Sequence, residues 1–319
     1  MNLLCQNVWE CRPCACCNLC LILSPFIPVS KKLPSDLFPL LGSHVPTIGG
    51  VATAIDRGIG IGCTSIQLFV KNNMQWFAKP LPEADAKAFT EHPLRPRLGP
   101  VIAHAGYLIN LAVEGTENHE KSLRSLSDEM LRCEQLGIRS LVLHPGSHLG
   151  AGIRHGIACV ARNLDRLHAE HPSLNTRIAL EITAGQGATL GSRFEEIADI
   201  ITAVADPSRL EVCFDTAHAF AAGYDLSASE GGEKIFAEFH RIIGISRLSV
   251  LHINDSKSAL SSRVDRHDNL GQGKIGLDAF RWIMNAPELA HLPKILETPK
   301  GKDLAEDVEA MALLRGFIG

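Results

Sequence analysis

Short apolar runs alternate along this chain with longer stretches whose apolar positions recur at helical spacing. The short runs are Pro39–Val45, Ser65–Phe69, Val101–His104, Leu141–His144, Ile178–Glu181, Val212–Asp215, Ser249–His252 and Lys294–Glu297. Runs this short and this apolar are what strands covered on both faces require. Helical spacing fills Val51–Arg57, the stretch from Pro80 and Pro82 to about His92, Asn118–Leu136, and then segments around 157–170, 193–204, 232–243, 277–284 and 303–315. Gly137 stands directly after the longest of these, where a C-terminal cap belongs. Strand–helix alternation predicts a parallel sheet joined by crossover helices. Eight such units need roughly 250 residues to close into a barrel that gathers its strand C-termini at one mouth, and a chain of 319 residues supplies them with an N-terminal remainder. The expected fold class is α/β, a (β/α)8 TIM barrel over residues 38–319 preceded by an extension over residues 1–37.

Composition narrows this only at the edges. A hydrophobic share of 45% is ordinary for a globular chain, and a formal net charge of -4 argues against a generally basic surface while leaving room for a local basic patch. No uninterrupted apolar run approaches the roughly 20 residues a membrane-spanning helix needs, so no membrane association is expected. Cysteines are uneven: Cys5, Cys11, Cys14, Cys16, Cys17 and Cys20 crowd the N-terminus, whereas Cys63, Cys133, Cys159 and Cys213 lie in or beside apolar runs. The second group reads as buried free thiols in a reducing cytoplasm. Cys11, Cys14, Cys17 and Cys20 form a C-x2-C-x2-C-x2-C series, one residue short of bacterial iron–sulfur spacing and without its proline, and too tightly spaced for a folded zinc knuckle. No basic residue precedes the apolar Leu21–Leu23, and Pro25 and Pro28 interrupt it, against a secretory signal. The extension is expected to be disordered, as translation from an upstream start codon would leave it.

Candidate chemistry sits at the strand ends. Six of the short runs finish on a metal-binding side chain: His104, His144, Glu181, Asp215, His252 and Glu297. Asp215 is followed three residues on by His218, and the polar loop after the seventh strand carries Asp265 and His267, whose side chains project to one side of an extended segment. Charged groups buried at six strand ends are costly without partners, so a metal site explains the set better than a hydrogen-bonded core does. Imidazole and carboxylate without thiolate suit Zn2+ or Mn2+. Nine such ligands with bridging carboxylates are enough for three ions, that is, a trinuclear site at the C-terminal mouth. Three divalent cations would leave the mouth positive despite its carboxylates, and therefore attractive to phosphate. The other histidines, among them His44, His148 and His155, keep the plain reading of hydrogen-bonded residues; His44 ends the first strand, but spacing alone does not bring it into the site.

From Pro39 onward the chain also resembles the endonuclease IV family of apurinic/apyrimidinic endonucleases, in the segments Leu143–His148, Glu181–Gly187, Asp215–Asp225, His252–Lys257, Ser262–His267 and Leu296–Thr298. The resemblance covers all nine ligand positions and implies a trinuclear zinc centre, with Mn2+ admissible at one position. It places His104 and His144 on one ion, Asp215 and His252 on a second, and His218, Asp265 and His267 on a third, with Glu181 bridging the first two and Glu297 completing the cluster. Glu181 and Glu297 are on this basis the catalytic carboxylates. The implied activity is that of a zinc-dependent deoxyribonuclease IV of the phage-T4-induced type. It hydrolyses the phosphodiester 5′ to an abasic site, leaving a 3′-hydroxyl and a 5′-deoxyribose phosphate. Clustered metals suit this, since they generate hydroxide near neutral pH and clamp the oxygens of an in-line displacement. The implied partner is double-stranded DNA with abasic sites or blocked 3′ ends, met by a monomer. Tyr107 and Leu108 match the family's intruding pair, and Met74 and Gln75 lie on the neighbouring loop.

Two departures stand out. Ile182 occupies a position where the family usually has asparagine, so a hydrogen-bonding amide is expected to be lost beside the metals, and Met74 stands where some relatives present arginine. Sugar isomerases and epimerases share this barrel and its carboxylate–histidine sites, but they lack the Asp265 and His267 pair with His218. Another phosphoesterase specificity, or a lesion-binding protein without catalysis, are the remaining alternatives. Every matched motif lies beyond Leu37, so deletion of residues 1–36 is expected to leave melting temperature and abasic-site cleavage unchanged. A large fall in melting temperature, or stoichiometric iron and sulfide, would show that the extension is a folded part of the protein.

Overall fold

Side chains alternate between the two faces of a strand, and in this chain that alternation builds both the floor of the barrel and the site above it. The computed structural model describes residues 38–319; the expectations for the cysteine-rich extension lie outside the described residues. Eight parallel strands close into a barrel: β1 Leu41–His44, β2 Ser65–Leu68, β3 Val101–His104, β4 Ser140–Leu143, β5 Arg177–Glu181, β6 Leu210–Asp215, β7 Leu248–His252 and β10 Lys294–Leu296. Neighbours in sequence are neighbours in the ring, and β10 closes it against β1 through Leu41↔Lys294 and Ser43↔Leu296. Two-residue strands β8 Asp255–Ser256 and β9 His267–Asp268 form an antiparallel pair outside the ring.

Helices fill the crossovers: α1 Thr53–Gly60, α2 Glu83–Thr90, α3 Glu117–Gln135, α4 Ile153–Glu170, α5 Phe194–Ala203, α7 Gly231–Ile242, α8 Leu277–Asn285 and α9 Ala305–Arg315, with a short α6 Thr216–Ala222 directly after β6. Their caps follow from local chemistry. Thr116 accepts the His119 backbone N–H at the start of α3, and Asp215, the last residue of β6, accepts the His218 N–H and so starts α6 with no intervening loop. Among the described residues no helix is long and apolar enough to cross a membrane, and Cys63, Cys133, Cys159 and Cys213 are buried free thiols.

The core divides in two. Outward-facing strand residues such as Ile66, Leu68, Leu141, Leu143, Ile178, Leu180 and Phe214 pack with the helices in one large cluster. A separate cluster, Ile102, Val142, Ala179, Cys213, Val250 and Ile295, plugs the barrel with one residue from each of six strands. Two positions further along the chain from each of these residues stands His104, His144, Glu181, Asp215, His252 or Glu297, on the strand or directly after it. The pleat therefore sets all six on the plug, facing inward.

Several predicted boundaries shift. The first strand starts at Leu41 because Pro39 has no N–H to give a ladder. The second ends at Leu68, while the fourth and last end one residue before His144 and Glu297. Pro80 and Pro82 lie outside α2, which opens at Glu83 with Pro82 as its cap residue, and α4 begins earlier than the pattern suggests, at Ile153. α6 and the β8–β9 pair have no counterpart among the predicted elements.

Strands β1 and β2 line the barrel with small groups. Gly42 pairs with Ser65, and a Cβ at Gly42 would overlap the Ser65 carbonyl oxygen. Gly42→Ala is therefore expected to destabilise the protein by about 1–3 kcal/mol through overpacking, read as a lowered midpoint in chemical denaturation; an unchanged midpoint would show that the seam can relax.

Candidate metal centre

Glu181 lies at the centre of the mouth, fully buried. Its Oε2 is 3.1 Å from Nε2 of both His104 and His144, and its Oε1 is 3.1 Å from Nδ1 of His218 and 3.2 Å from Nδ1 of His252. Each oxygen thus faces its own pair of imidazoles, the disposition of a bridging carboxylate. His252 Nδ1 is also 3.0 Å from Glu297 Oε2 and 3.7 Å from Asp215 Oδ2. On the open side His218 Nε2 stands 3.3 Å from Asp265 Oδ2, and His267 Nε2 is 3.5 Å from Asp265 Oδ1 and 3.7 Å from Asp215 Oδ2. All nine predicted ligand residues are brought together.

Three donor sets emerge, each with its ligand atoms within 4.8 Å of one another: His104, His144 and Glu181; Glu181, Asp215, His252 and Glu297; and Asp215, His218 and His267. Cys213 lies equally near Glu181 and His252, but it is one of the residues that plug the barrel, where burial pushes its thiol up to about 12. The donor chemistry fits cations. Nε2 of His267 is buried among the carboxylates with no hydrogen-bond partner. Burial opposes ionisation of Glu181 and Glu297, yet the imidazoles of His144 and His252 about the first, and of His252, His44 and His104 about the second, hold both carboxyls well below their usual range. Burial likewise opposes charge on His218 and His252; the carboxylates of Asp215, Asp265 and Glu181 carry the first well above the ordinary imidazole value, and Cys213 together with Glu297 and Glu181 does so for the second. These carboxylates concentrate negative charge in a dry layer, which positive charge must offset.

A surrounding ring of hydrogen bonds orients the cluster. His104 Nδ1 faces the Ala105 carbonyl at 2.8 Å and His218 Nδ1 faces the Ile182 carbonyl at 3.0 Å, which turns His104 Nε2 toward Glu181 and His218 Nε2 toward Asp265. Gln67 donates through Nε2 to Glu297 Oε1 at 2.6 Å and offers Oε1 to His252 Nε2 at 2.8 Å. Asn254 donates to Asp215 Oδ2 at 2.6 Å and accepts the Glu297 N–H at 2.7 Å. His44, left out of the site by spacing, packs its Nδ1 3.2 Å from Glu297 Oε1, in register with Gln67. Sequence reasoning missed Gln67 and Asn254. The available signal for Gln67 was its inward parity on β2. His148 and His155 stay outside, the first accepting N–H groups of Gly150 and Gly152, the second beside Cys159 on α4. Ile182 departs from expectation: its side chain is buried in the outer core, and only its carbonyl serves the site.

Beside the cluster a cleft of about 270 Å³ is lined by His144, Thr183, Gln186, His218 and Asp265. Met74 and Gln75 are exposed on the β2–α2 loop; Tyr107 is exposed and Leu108 half-buried on the β3–α3 loop. The loops are tied together, because Tyr107 N–H donates to the Asn73 carbonyl at 3.2 Å. Beneath them Lys71, buried, donates to the Trp76 carbonyl and Ser125 Oγ and pairs with Glu129 at 3.2 Å, while Glu129 accepts the Gly106 N–H. The Tyr107 ring leans edge-on to Phe69 and His104.

A closed eight-stranded barrel with histidines and carboxylates gathered at one end matches the family described as xylose isomerase-like TIM barrel over residues 57–315. A probable endonuclease 4 from Chloroflexus aurantiacus is 48% identical over 280 residues, covering 88% of this chain and 98% of that protein. The crystal structure of endonuclease IV from Thermus thermophilus superposes with a TM-score of 0.77 at 35% identity, over 88% of this chain and 98% of that one. A D-tagatose 3-epimerase-like protein shares the fold alone, with a TM-score of 0.65 at 16% identity over 86% of this chain and 96% of that one. Within the xylose isomerase-like barrels, this chain belongs to the endonuclease 4 family.

Because Gln67 and Asn254 fix the ligand carboxylates from behind, Gln67→Leu and Asn254→Leu are each expected to weaken metal affinity by roughly ten- to hundred-fold. Competition against a chromophoric chelator measures this; affinities equal to wild type would mean that the ligands hold their positions unaided.

Proposed function

We propose that this chain is a metal-dependent DNA-repair endonuclease that cleaves the phosphodiester 5′ to an abasic site, with the activity of a zinc-dependent deoxyribonuclease IV of the phage-T4-induced type. The observation that carries the reading is the bridging disposition of Glu181, with each oxygen facing a separate pair of imidazoles. His104, His144 and Glu181 would hold one cation, and Glu181, Asp215, His252 and Glu297 a second. His218, Asp265 and His267 would hold a third, with Asp215 in contact from behind. Zn2+ suits all three positions and Mn2+ is admissible at one. When bound, such ions lower the pKa of water and offset charge building on a phosphate.

The chain's own residues then have distinct work. Glu181 and Glu297 anchor the cluster, the latter held by Gln67, Asn254 and the neighbouring His44. An abasic nucleotide within a duplex must be turned out of the stack to reach ligands at a barrel mouth, and side chains inserted into the gap offset the cost. Tyr107, at 61% exposed, and Leu108 are suited to that insertion, with Met74, at 63% exposed, and Gln75 on the adjoining loop. The substrate class is double-stranded DNA with abasic sites or blocked 3′ ends, the active species a monomer, and the compartment the cytoplasm. The sugar isomerase or epimerase reading fits less well, since a single sugar gives no use to the exposed Met74 and Tyr107 on the two loops flanking the cluster.

Purified protein is expected to nick an abasic duplex once, on the 5′ side of the lesion, to leave undamaged duplex intact, to lose activity with chelator and to regain it with Zn2+. Conversion of ketoses to aldoses without nicking would overturn the proposal; cleavage of undamaged phosphodiesters alone would point to another phosphoesterase. Tyr107→Ala and Leu108→Ala should weaken binding to abasic duplex far more than to single-stranded abasic DNA at unchanged metal content. Met74→Arg should tighten duplex binding and steepen its salt dependence by about one phosphate contact. Equal losses on both DNA forms would assign the tyrosine and leucine to the fold instead.

A further inference from the structure

The ligands come from two kinds of scaffold. His104, His144, Glu181, Asp215, His252 and Glu297 stand at the ends of ring strands, whereas His218 rides on α6, and Asp265 and His267 belong to the excursion between β7 and α8. Within that excursion the only regular elements are β8 and β9, joined by Asp255↔Asp268 and Ser256↔His267.

Its organisation converges on Asp255, a fully buried carboxylate. Oδ1 accepts the N–H groups of Ser256 and Ile275 at 2.8 and 3.0 Å, and Oδ2 those of Gly271 and Gly273 at 2.9 and 3.1 Å. Among the described residues no lysine, arginine or histidine forms an ion pair with it, so backbone dipoles alone offset its charge. The fit is close: a Cβ at Gly273 would overlap the carboxylate. The carboxylate thus pins the return leg at 271–275 against β8, and β8 in turn carries β9 with His267. Further ties run from Arg263 and Ser261 N–H to carbonyls of α6, and from Asp265 N–H to Gln186 Oε1 at 3.2 Å. The excursion meets the strand-end ligands of the first two positions through His267, whose Nδ1 is 3.3 Å from the Glu297 carbonyl and whose Nε2 is 3.7 Å from Asp215 Oδ2.

We propose that Asp255 is a positioning residue for Asp265 and His267, and that the third cation position, although it borders Asp215 of the second, depends on the excursion as the other two do not and is lost on its own when the excursion is released. The inference rests on the three-cation reading above. Asp255→Asn keeps the side-chain shape but replaces one acceptor oxygen with a donor that faces backbone N–H groups. Gly273→Ala crowds the same carboxylate from the loop side and leaves Asp255 itself in place.

The test is elemental analysis of wild type and both variants after equilibration with Zn2+ at a free concentration that saturates wild type. Amide hydrogen exchange over residues 257–275 and the melting curve are recorded in parallel. Wild type is expected to hold three ions and each variant two, with faster exchange at Gly271 and Ile275 and a single cooperative melting transition. Fewer than three ions on wild type would refute the three-cation reading itself. Three on wild type and three on both variants would overturn the role of Asp255, and loss of all ions from a folded variant would overturn the separability. Should Asp255→Asn not fold, the Gly273→Ala result decides.

Discussion

A carboxylate buried at the centre of a barrel has to be met by positive charge from every direction, and Glu181 is the residue that imposes this requirement here. Neither of its oxygens reaches water, and four imidazoles converge on them at hydrogen-bonding distance. Leaving such a charge unpaired would cost several kcal/mol. His104 and His144 therefore come from one side and His218 and His252 from the other. The carboxylates of Asp215, Asp265 and Glu297 follow because four crowded imidazoles in turn need acceptors. Gln67 and Asn254 complete the order by fixing which oxygen faces which ring.

Much of this is legible in the sequence because strand periodicity leaves no freedom. Ile102 and His104, Ala179 and Glu181, and Val250 and His252 are each two apart, so an apolar plug residue and its ligand must share the inner face. Six of the candidate ligand positions accordingly follow from residue type and strand spacing, whereas His218, Asp265 and His267 are read from their spacing to Asp215 and to each other. Other features are not legible, for identifiable reasons. Gln67 is not a ligand type, and its partner Glu297 lies 230 residues away in sequence. α6 has no loop of its own, because Asp215 ends a strand, caps a helix and faces the cluster at once. Strands β8 and β9, two residues each, are too short to leave a periodic trace. Ile182 reads in sequence as a loss beside the site, whereas its side chain belongs to the outer core and its carbonyl does the orienting.

The mouth also separates rigidity from reach. Ligands on ring strands inherit the stiffness of the sheet, while Tyr107 and Met74 project on loops whose backbones are joined to each other and pinned from below by the Lys71–Glu129 pair. A barrel fold shared with an epimerase-like protein does not by itself fix the use of the mouth, which depends on the side chains at the strand ends and on the loops around them.

The closure of β1 on β10 gives the molecule a direction in time. His104, His144 and Glu181 are all present once little more than half the chain has left the ribosome, whereas the ring cannot close until Lys294–Leu296 has been made. The residues of the first donor set are thus made before the strand that closes the ring, and Glu297, directly after that strand, is made last. The second donor set, which shares Glu181 with the first, is therefore complete only when the residue that follows the closing strand has been made.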